Sequence, residues 1–484
     1  MPQIAFPTST APSINITENG GRLINCYAEK APVGSRNPVL YRRAPGLDAA
    51  FTAGASSPRA ALLVGTVLYI INGDTCYSVT KSGDDYTVTA LGGTVGGDGR
   101  VFMAHNMKTP THDVLILTSA GMHTISGSSV SPFSDGDLPA SNSLSYMDGY
   151  FFTTTTIGQS WASDLNDTNF KDNSFVTAEA QPDGLLRAIP FRRDLLLMGT
   201  DTTEFWSNAG NATGYPFSRG PVITYGLWGI HAISGYEPGF PGPLVWIAND
   251  GVIYQLNGYA PQRVSTPHIE RMIELIADRT ELRASVYITA GHSFWVLKSD
   301  SWTLLYDLST GEWHERATKG QKNWRAEFCV NAFNEWLALD ETSGAVYRIN
   351  DRSKREAGGA LVMELWSSQQ HNFPARTVIS RASFDFATGI GIDRGISPIE
   401  TNPRVSISWS DNGGWTFGNA LLRDLGTQGE LKSIDIWRTG MTSRLGRNGK
   451  SRSATRLKCP SSADRCSARR ARRDHRQPNS ATRC

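Results

Sequence analysis

The feature that most constrains this chain is a recurring phrase: an apolar run, a tight turn rich in Asn, Asp, Ser or Gly, and a second apolar run. Its clearest copy lies within residues 222–265, where Leu244-Val245-Trp246-Ile247 is followed by Asn249-Asp250-Gly251 and then Val252-Ile253-Tyr254. Short apolar runs closed by Asn/Asp-Gly read as antiparallel strands joined by a tight turn. Six further copies occupy residues 60–79, 113–126, 145–164, 194–207, 293–313 and 334–351. The seven turns fall near 72, 120, 157, 200, 250, 300 and 342, at intervals of 37 to 50 residues.

A period of about 40–50 residues with about four strands per repeat predicts a β-propeller. One four-stranded sheet cannot bury both faces by itself. Blades stacked around an axis bury them, and closing the ring protects the strand edges. Within each phrase the first run is expected to be an inner strand, with the turn at one rim. The spacing admits six or seven blades over residues 58–357, and two packed β-sandwiches are the competing arrangement. The 47 Gly, 24 Pro and 47 aromatic residues suit such a turn-rich, all-β body.

Outside the repeats, residues 1–57 read as an extended arm punctuated by Pro2, Pro7, Pro12, Pro32, Pro38 and Pro45. Such arms drape over their own domain or a neighbouring subunit. Residues 266–279 read as a helical insertion. Thr266 stands at the cap, Pro267 at the first turn, and Ile269, Met272, Ile273 and Ile276 recur at helical spacing. Residues 358–440 carry longer strands with weaker repetition and predict a second, sandwich-like β domain. The piece 410–417, SDNGGWTF, resembles an Asp-box hairpin with its Asp displaced, which is a turn-stabilising device.

The net charge of +2 conceals an asymmetry. Residues 441–484 hold 13 basic and 2 acidic residues, against 34 basic and 43 acidic in residues 1–440. The acidic body argues against extensive DNA contact over its outer surface. The basic tail reads either as a disordered arm that binds nucleic acid or as an out-of-frame translation. The abrupt end of the β pattern after Trp437-Arg438 favours the second. No apolar run approaches the roughly 20 residues of a membrane span. The first residues lack the basic and apolar regions of a secretory signal, so synthesis in a cytoplasm is expected.

Signatures of catalysis are scarce, and no catalytic, cofactor-binding or metal-binding residues are assigned. Phosphate-loop, zincin and nucleophile-elbow motifs do not occur. The glycine-rich stretch 92–99 opens no helix and reads as a β loop. His105, His112 and His123 lie near one another in sequence, but no carboxylate pattern completes a metal set. Asp250, Asp307 and Asp340 end strands at turns, where Asp bonds locally. Cys26, Cys76 and Cys329 read as scattered buried thiols, and Cys459, Cys466 and Cys484 fall in the tail. A glycosidase would need an inward pair of carboxylates, and a sialidase-like site would need arginines clustered from several blades. Arg42-Arg43 and Arg192-Arg193 are the adjacent arginine pairs of the arm and early repeats. Trp161, Trp206, Trp246, Trp295, Trp313 and Trp336 read as blade core ahead of a sugar platform.

Whole phrases of the chain resemble one family. They are MPQIAFPTSTAPSINITENGGRLINCYAE, LYRRAPGL, FWSNAGNATGYPF, TYGLWGIHAI and LVWIANDGVIYQLNGYAPQRVST. This is the packaged-DNA stabilisation protein, or tail hub, of short-tailed phages; the resemblance covers residues 1–440, and the tail departs from it. The resemblance implies a non-enzymatic virion protein, assembled in the host cytoplasm, with no cofactor. It implies a homo-oligomeric ring of six copies below the portal and its connector. That ring would help close the exit channel after packaging, carry the needle and tailspikes, and let DNA pass without sequence-specific binding. The competing expectation is a glycan-binding or glycan-degrading propeller of a phage tail.

Overall fold

A computed structural model describes residues 6–12, 20–35, 37–178, 183–211, 213–389, 401–444 and 446–453, with the backbone of 3–4 and 468–469. Among the described residues, seven four-stranded antiparallel arrays follow one another around a ring. The first four are built from residues 58–90, 102–133, 143–177 and 185–223. The fifth and sixth take 233–263 and 283–315, and the seventh takes 326–350 together with Gly46–Thr52. The innermost strands lie side by side in order, with Ala326–Ala332 of the last blade returning to Pro58–Val64 of the first. The predicted all-β propeller is therefore present, with seven blades.

Each turn noted in the sequence joins the second strand of a blade to the third. In the fifth blade these are Val245–Ile247 and Ile253–Asn257, while the innermost strand is the short Ile233–Ser234. The apolar first run is thus one position out from the axis. The reason is burial: second strands such as Val114–Thr118 are covered on both faces by neighbouring blades and are buried at every position. Apolar clusters fill the spaces between blades, for example Leu195, Leu197, Trp206 and Phe217 against Met147 and Phe152.

Ring closure comes from the stretch read as an arm. Gly46–Thr52 pairs antiparallel with Ala345–Asn350, so a strand from the start of the chain completes the last blade. Cys26–Lys30 and Val39–Arg43 form a hairpin, which seats Tyr27 against His292, Phe294 and His314 of the sixth blade. The expectation of an extended segment over 1–57 is corrected accordingly, because residues 22–52 are largely strand. Proline is tolerated there since Pro32, Pro38 and Pro45 lie between strands.

Arg22–Ile24 is the joint between propeller and C-terminal unit. It runs parallel to the sixth blade at Glu315 and antiparallel to Met363–Trp366. The sheet then continues through Asn448–Ser453, Arg404–Ser410 and Leu421–Asp424. Arg22 lies over the Trp366 ring at 5.0 Å, and its guanidinium pairs with Glu315, which also accepts the Thr10 hydroxyl at 2.6 Å. A second sheet, Val378–Phe384 with Ile434–Met441, packs across the first around Val405, Ile407, Leu425, Ile434 and Ile436.

The tail expected over 441–484 begins later than the sequence implied. Met441 ends one strand and Asn448–Ser453 lies between two others, so the β pattern continues past Arg438. The strand NGKSRS reads as loop because it has no apolar residue; its neighbours on both sides supply the hydrogen bonds. Residues 454–484, with Cys459, Cys466 and Cys484, lie outside the described residues except for the backbone of 468–469. The helix runs Pro267–Glu274 and turns Ile269 and Ile273 into the core beside the sixth blade.

Candidate functional site

The innermost strands of all seven blades surround a cavity of about 340 Å³ on the propeller axis. Its polar lining includes Arg59, Arg100, Arg187, His231, Tyr236 and Glu237. These side chains stand on or beside first strands, where facing an axial cavity removes the requirement for apolar residues at every position.

Arg100, which lines the cavity, belongs to a buried ionic cluster. Glu327 receives Arg100 at 3.3 Å, Arg283 at 3.5 Å and Lys298 at 3.5 Å. Lys298 also meets Glu341 at 3.1 Å and donates to the Ala326 carbonyl at 2.9 Å. Burial raises the Glu327 carboxyl, but the combined charges of Arg100, Arg283 and Lys298 outweigh it and hold Glu327 below the usual range. Burial lowers Lys298 and Arg100, with the nearby carboxylates opposing it. The cluster fastens the sixth blade to the seventh, and removing one partner would strand buried charge.

The surroundings of Arg187 are different. The Arg187 guanidinium lies between the rings of Phe102 and Tyr236, at 4.9 and 5.0 Å from their centroids. It donates to the Ile230 carbonyl at 3.2 Å and to the Tyr236 hydroxyl at 2.8 Å. His231 stacks on Phe102 at 5.3 Å. Burial, then the charges of Arg100, Arg187 and Arg283, hold His231 well below the ordinary imidazole value, so the ring is neutral. Burial raises the Glu237 carboxyl against hydrogen bonds from the Ser234 hydroxyl and the Gly235 amide.

The structure thus brings together arginines from separate blades that a search for adjacent pairs misses, because residues 100, 187 and 283 converge only when the ring closes. The sequence pairs lie elsewhere. Arg42 bonds Glu29 within the hairpin, and Arg192 covers Phe191 at 5.0 Å. The glycine-rich loop 92–99 presents carbonyls. Arg59 donates to those of Val95, Gly96 and Gly99, at 3.2, 3.3 and 2.7 Å, a polarity opposite to that of a phosphate cradle. At Gly93, with φ of +81°, a Cβ would meet the Val130 carbonyl oxygen at 2.0 Å.

The remaining candidates are structural. Trp161, Trp206, Trp246, Trp295, Trp313 and Trp336 are all buried. Asp250 accepts the Val252 amide at 3.0 Å, Asp340 the Thr342 amide at 3.0 Å, and Asp307 both the Ser309 amide at 2.9 Å and His292 at 2.7 Å. His105 and His112 meet edge to face at 5.3 Å. Among the described residues no group of three or more His, Cys, Asp or Glu side chains is placed to hold a metal ion. Cys26, Cys76 and Cys329 are buried. In the Asp-box-like turn, Asn412 accepts the Thr416 amide at 3.0 Å. Asp411 turns away to a bidentate pair with Arg447, at 2.6 and 2.9 Å.

A family model described as Bacteriophage P22 Gp10, beta-propeller, matches residues 22–354. No curated protein matches the chain. Among solved structures, it is similar to the WD40 β-propeller domain of Doa1, at 11% identity and a TM-score of 0.41, over 63% of this chain and 97% of that one. It is similar to YCF48 bound to D1 peptide at 10% identity and 0.39, over 63% and 97%. PorZ of the type-IX secretion system of Porphyromonas gingivalis is similar at 11% identity and 0.36, over 69% and 44%.

Proposed function

The chain belongs to the family of Bacteriophage P22 Gp10, a phage β-propeller stabilisation protein, and from that premise we propose that it is a structural protein of the phage tail. Copies of it form a ring, a hexamer in this reading, below the portal and connector. The ring holds packaged DNA in the head, anchors needle and tailspikes, and lets DNA pass without reading its sequence. The protein is assembled in the host cytoplasm and resides in the virion tail. The observation that carries the reading is the family match across the whole propeller.

Two features of the fold support it. The propeller closes on itself through Gly46–Thr52, and the sheet of its sixth blade runs unbroken into the C-terminal unit. A body of this kind transmits force between two attachment faces without a hinge. The C-terminal unit also exposes Phe373, Trp415, Leu422, Leu431 and Trp437, which supply contact surface for the ring and its attachments. The competing reading, a glycan-binding or glycan-degrading propeller, draws on the cavity arginines. Arg100 and Arg283 already pair with Glu327, and Glu237 is engaged by Ser234 and Gly235.

The test adds purified protein to filled heads that lack this component. Retained DNA with a ring of added density at the vertex is the expected result. Leakage from heads that carry the bound, folded protein would refute the sealing role.

A further inference from the structure

Arg187 is a buried cation with no direct salt bridge; Glu237 feels its charge, but the Glu237 oxygens are taken by the Ser234 hydroxyl and the Gly235 amide. The Arg187 side chain is almost wholly covered, and among the described residues no carboxylate lies within ion-pair distance of it. Its partners are a carbonyl, a phenol and two ring faces, and its Nε–H has no hydrogen-bond partner. Arg100, Arg283 and Lys298 share the carboxylates of Glu327 and Glu341, three positive charges to two negative, so that cluster offers no surplus negative charge. Buried guanidinium groups are ordinarily paired, and a planar fork with a free N–H suits the oxygens of carboxylate or phosphate.

We propose that the propeller's axial cavity binds a small oxyanion at Arg187, between the rings of Phe102 and Tyr236 and beside His231. The shared chemistry is a compact, singly or doubly charged carboxylate or phosphate. The cavity volume of about 340 Å³ admits one sugar-sized molecule and lies at the small end of ligand sites. The apolar walls, among them Phe102, Leu144 and Ile233, suit a ligand with a non-polar face behind its charged group. His231 is the built-in reporter: burial first, then the charges of Arg100, Arg187 and Arg283, keep the ring neutral, and a bound anion offsets those charges, so its titration moves upward. This inference is independent of the ring proposed above and requires no partner chain.

The experiment titrates the full chain with inorganic phosphate and, separately, with glucuronate, against sodium chloride at equal ionic strength. Thermal unfolding and the His231 ring resonances are followed. A saturable rise in unfolding temperature with an upward shift of the His231 midpoint is expected for at least one probe, and Arg187→Met weakens that binding at least tenfold. Response to phosphate alone identifies an inorganic or phosphoryl ligand; response to glucuronate alone identifies the carboxylate of an acidic sugar. Crystals of the unaltered protein soaked in selenate serve where the variant does not fold, with an anomalous peak expected within hydrogen-bond reach of Arg187. Effects no larger than those of chloride, undiminished binding by Arg187→Met, or a selenate peak elsewhere would overturn the assignment.

Discussion

The propeller and the C-terminal unit are both all-β, yet they treat strand edges differently. The seventh blade takes its outer strand from Gly46–Thr52, almost three hundred residues before the strand it pairs with, and the ring has no open seam. Among the described residues, the C-terminal sheet ends on Leu421–Asp424, which pairs with Arg404–Ser410 on one side only, and the sheet across from it has two strands. Burial follows the same division: Trp295 of the sixth blade is 0% exposed, whereas Trp415 and Leu431 of the C-terminal unit are 69% and 86% exposed. A closed ring satisfies its own edges and apolar faces. The second unit leaves apolar surface for something outside the described chain.

The sharpest way to break this comparison is truncation. Removing residues 1–52 withdraws the closing strand and the joint at Arg22–Ile24. The propeller is expected to lose its cooperative thermal transition. Removing the chain from Leu361 onward leaves all seven blades, and a cooperative transition is expected to survive. The opposite pair of outcomes, read by calorimetry, would mean that the C-terminal unit is what holds the ring.

Single side chains sharpen the contrast. Trp295→Ala should cost about 3–5 kcal/mol, because a large void opens between blades. Trp415→Ala should cost no more than about 0.5 kcal/mol. Equal shifts in denaturant midpoint would show that the exposed tryptophan is covered in solution.

Within the C-terminal unit, Arg447 pairs with Asp411 and donates to the Thr439 and Met441 carbonyls, at 2.8 and 3.1 Å. Arg447→Met is expected to destabilise by about 1.5–3 kcal/mol, the range for hydrogen bonds to a charged group. Urea unfolding measures it, and no change would remove Arg447 as the pin of that turn.

A dependence on pH is expected at the hairpin–blade contact. His314 is buried against Tyr27 and Phe294, and burial holds it down at about 3. A depressed folded value means that stability is present above the unfolded value of about 6.5 and falls as pH drops toward 3, by about 1.4 kcal/mol per unit. His292 acts in the opposite sense. Its bond to Asp307 raises it, so its contribution is complete below about pH 6.5 and is lost as pH rises through the raised value. His314→Asn should therefore flatten the loss of stability between pH 6.5 and 5, read from urea midpoints. An unchanged slope would assign the acid sensitivity elsewhere.

By itself the sequence determined the repeat, the turns and the strands on either side of them. Val114–Thr118, Asp194–Gly199 and Glu335–Asp340 are legible because second strands are buried on both faces and so read as unbroken apolar runs. The helix at Pro267–Glu274 is legible for a similar reason, since Ile269 and Ile273 must share one face. The innermost strands were not legible. Leu185–Phe191 carries Arg187 into the axial cavity, and Ile233–Ser234 is too short to leave a pattern. Ring closure by residues 46–52 and the strand 448–453 were hidden because pairing between distant segments depends on backbone hydrogen bonds, which place little demand on side-chain type. Only the tertiary structure decided which arginines meet, because residues 100, 187 and 283 acquire a common neighbourhood when the blades close around an axis.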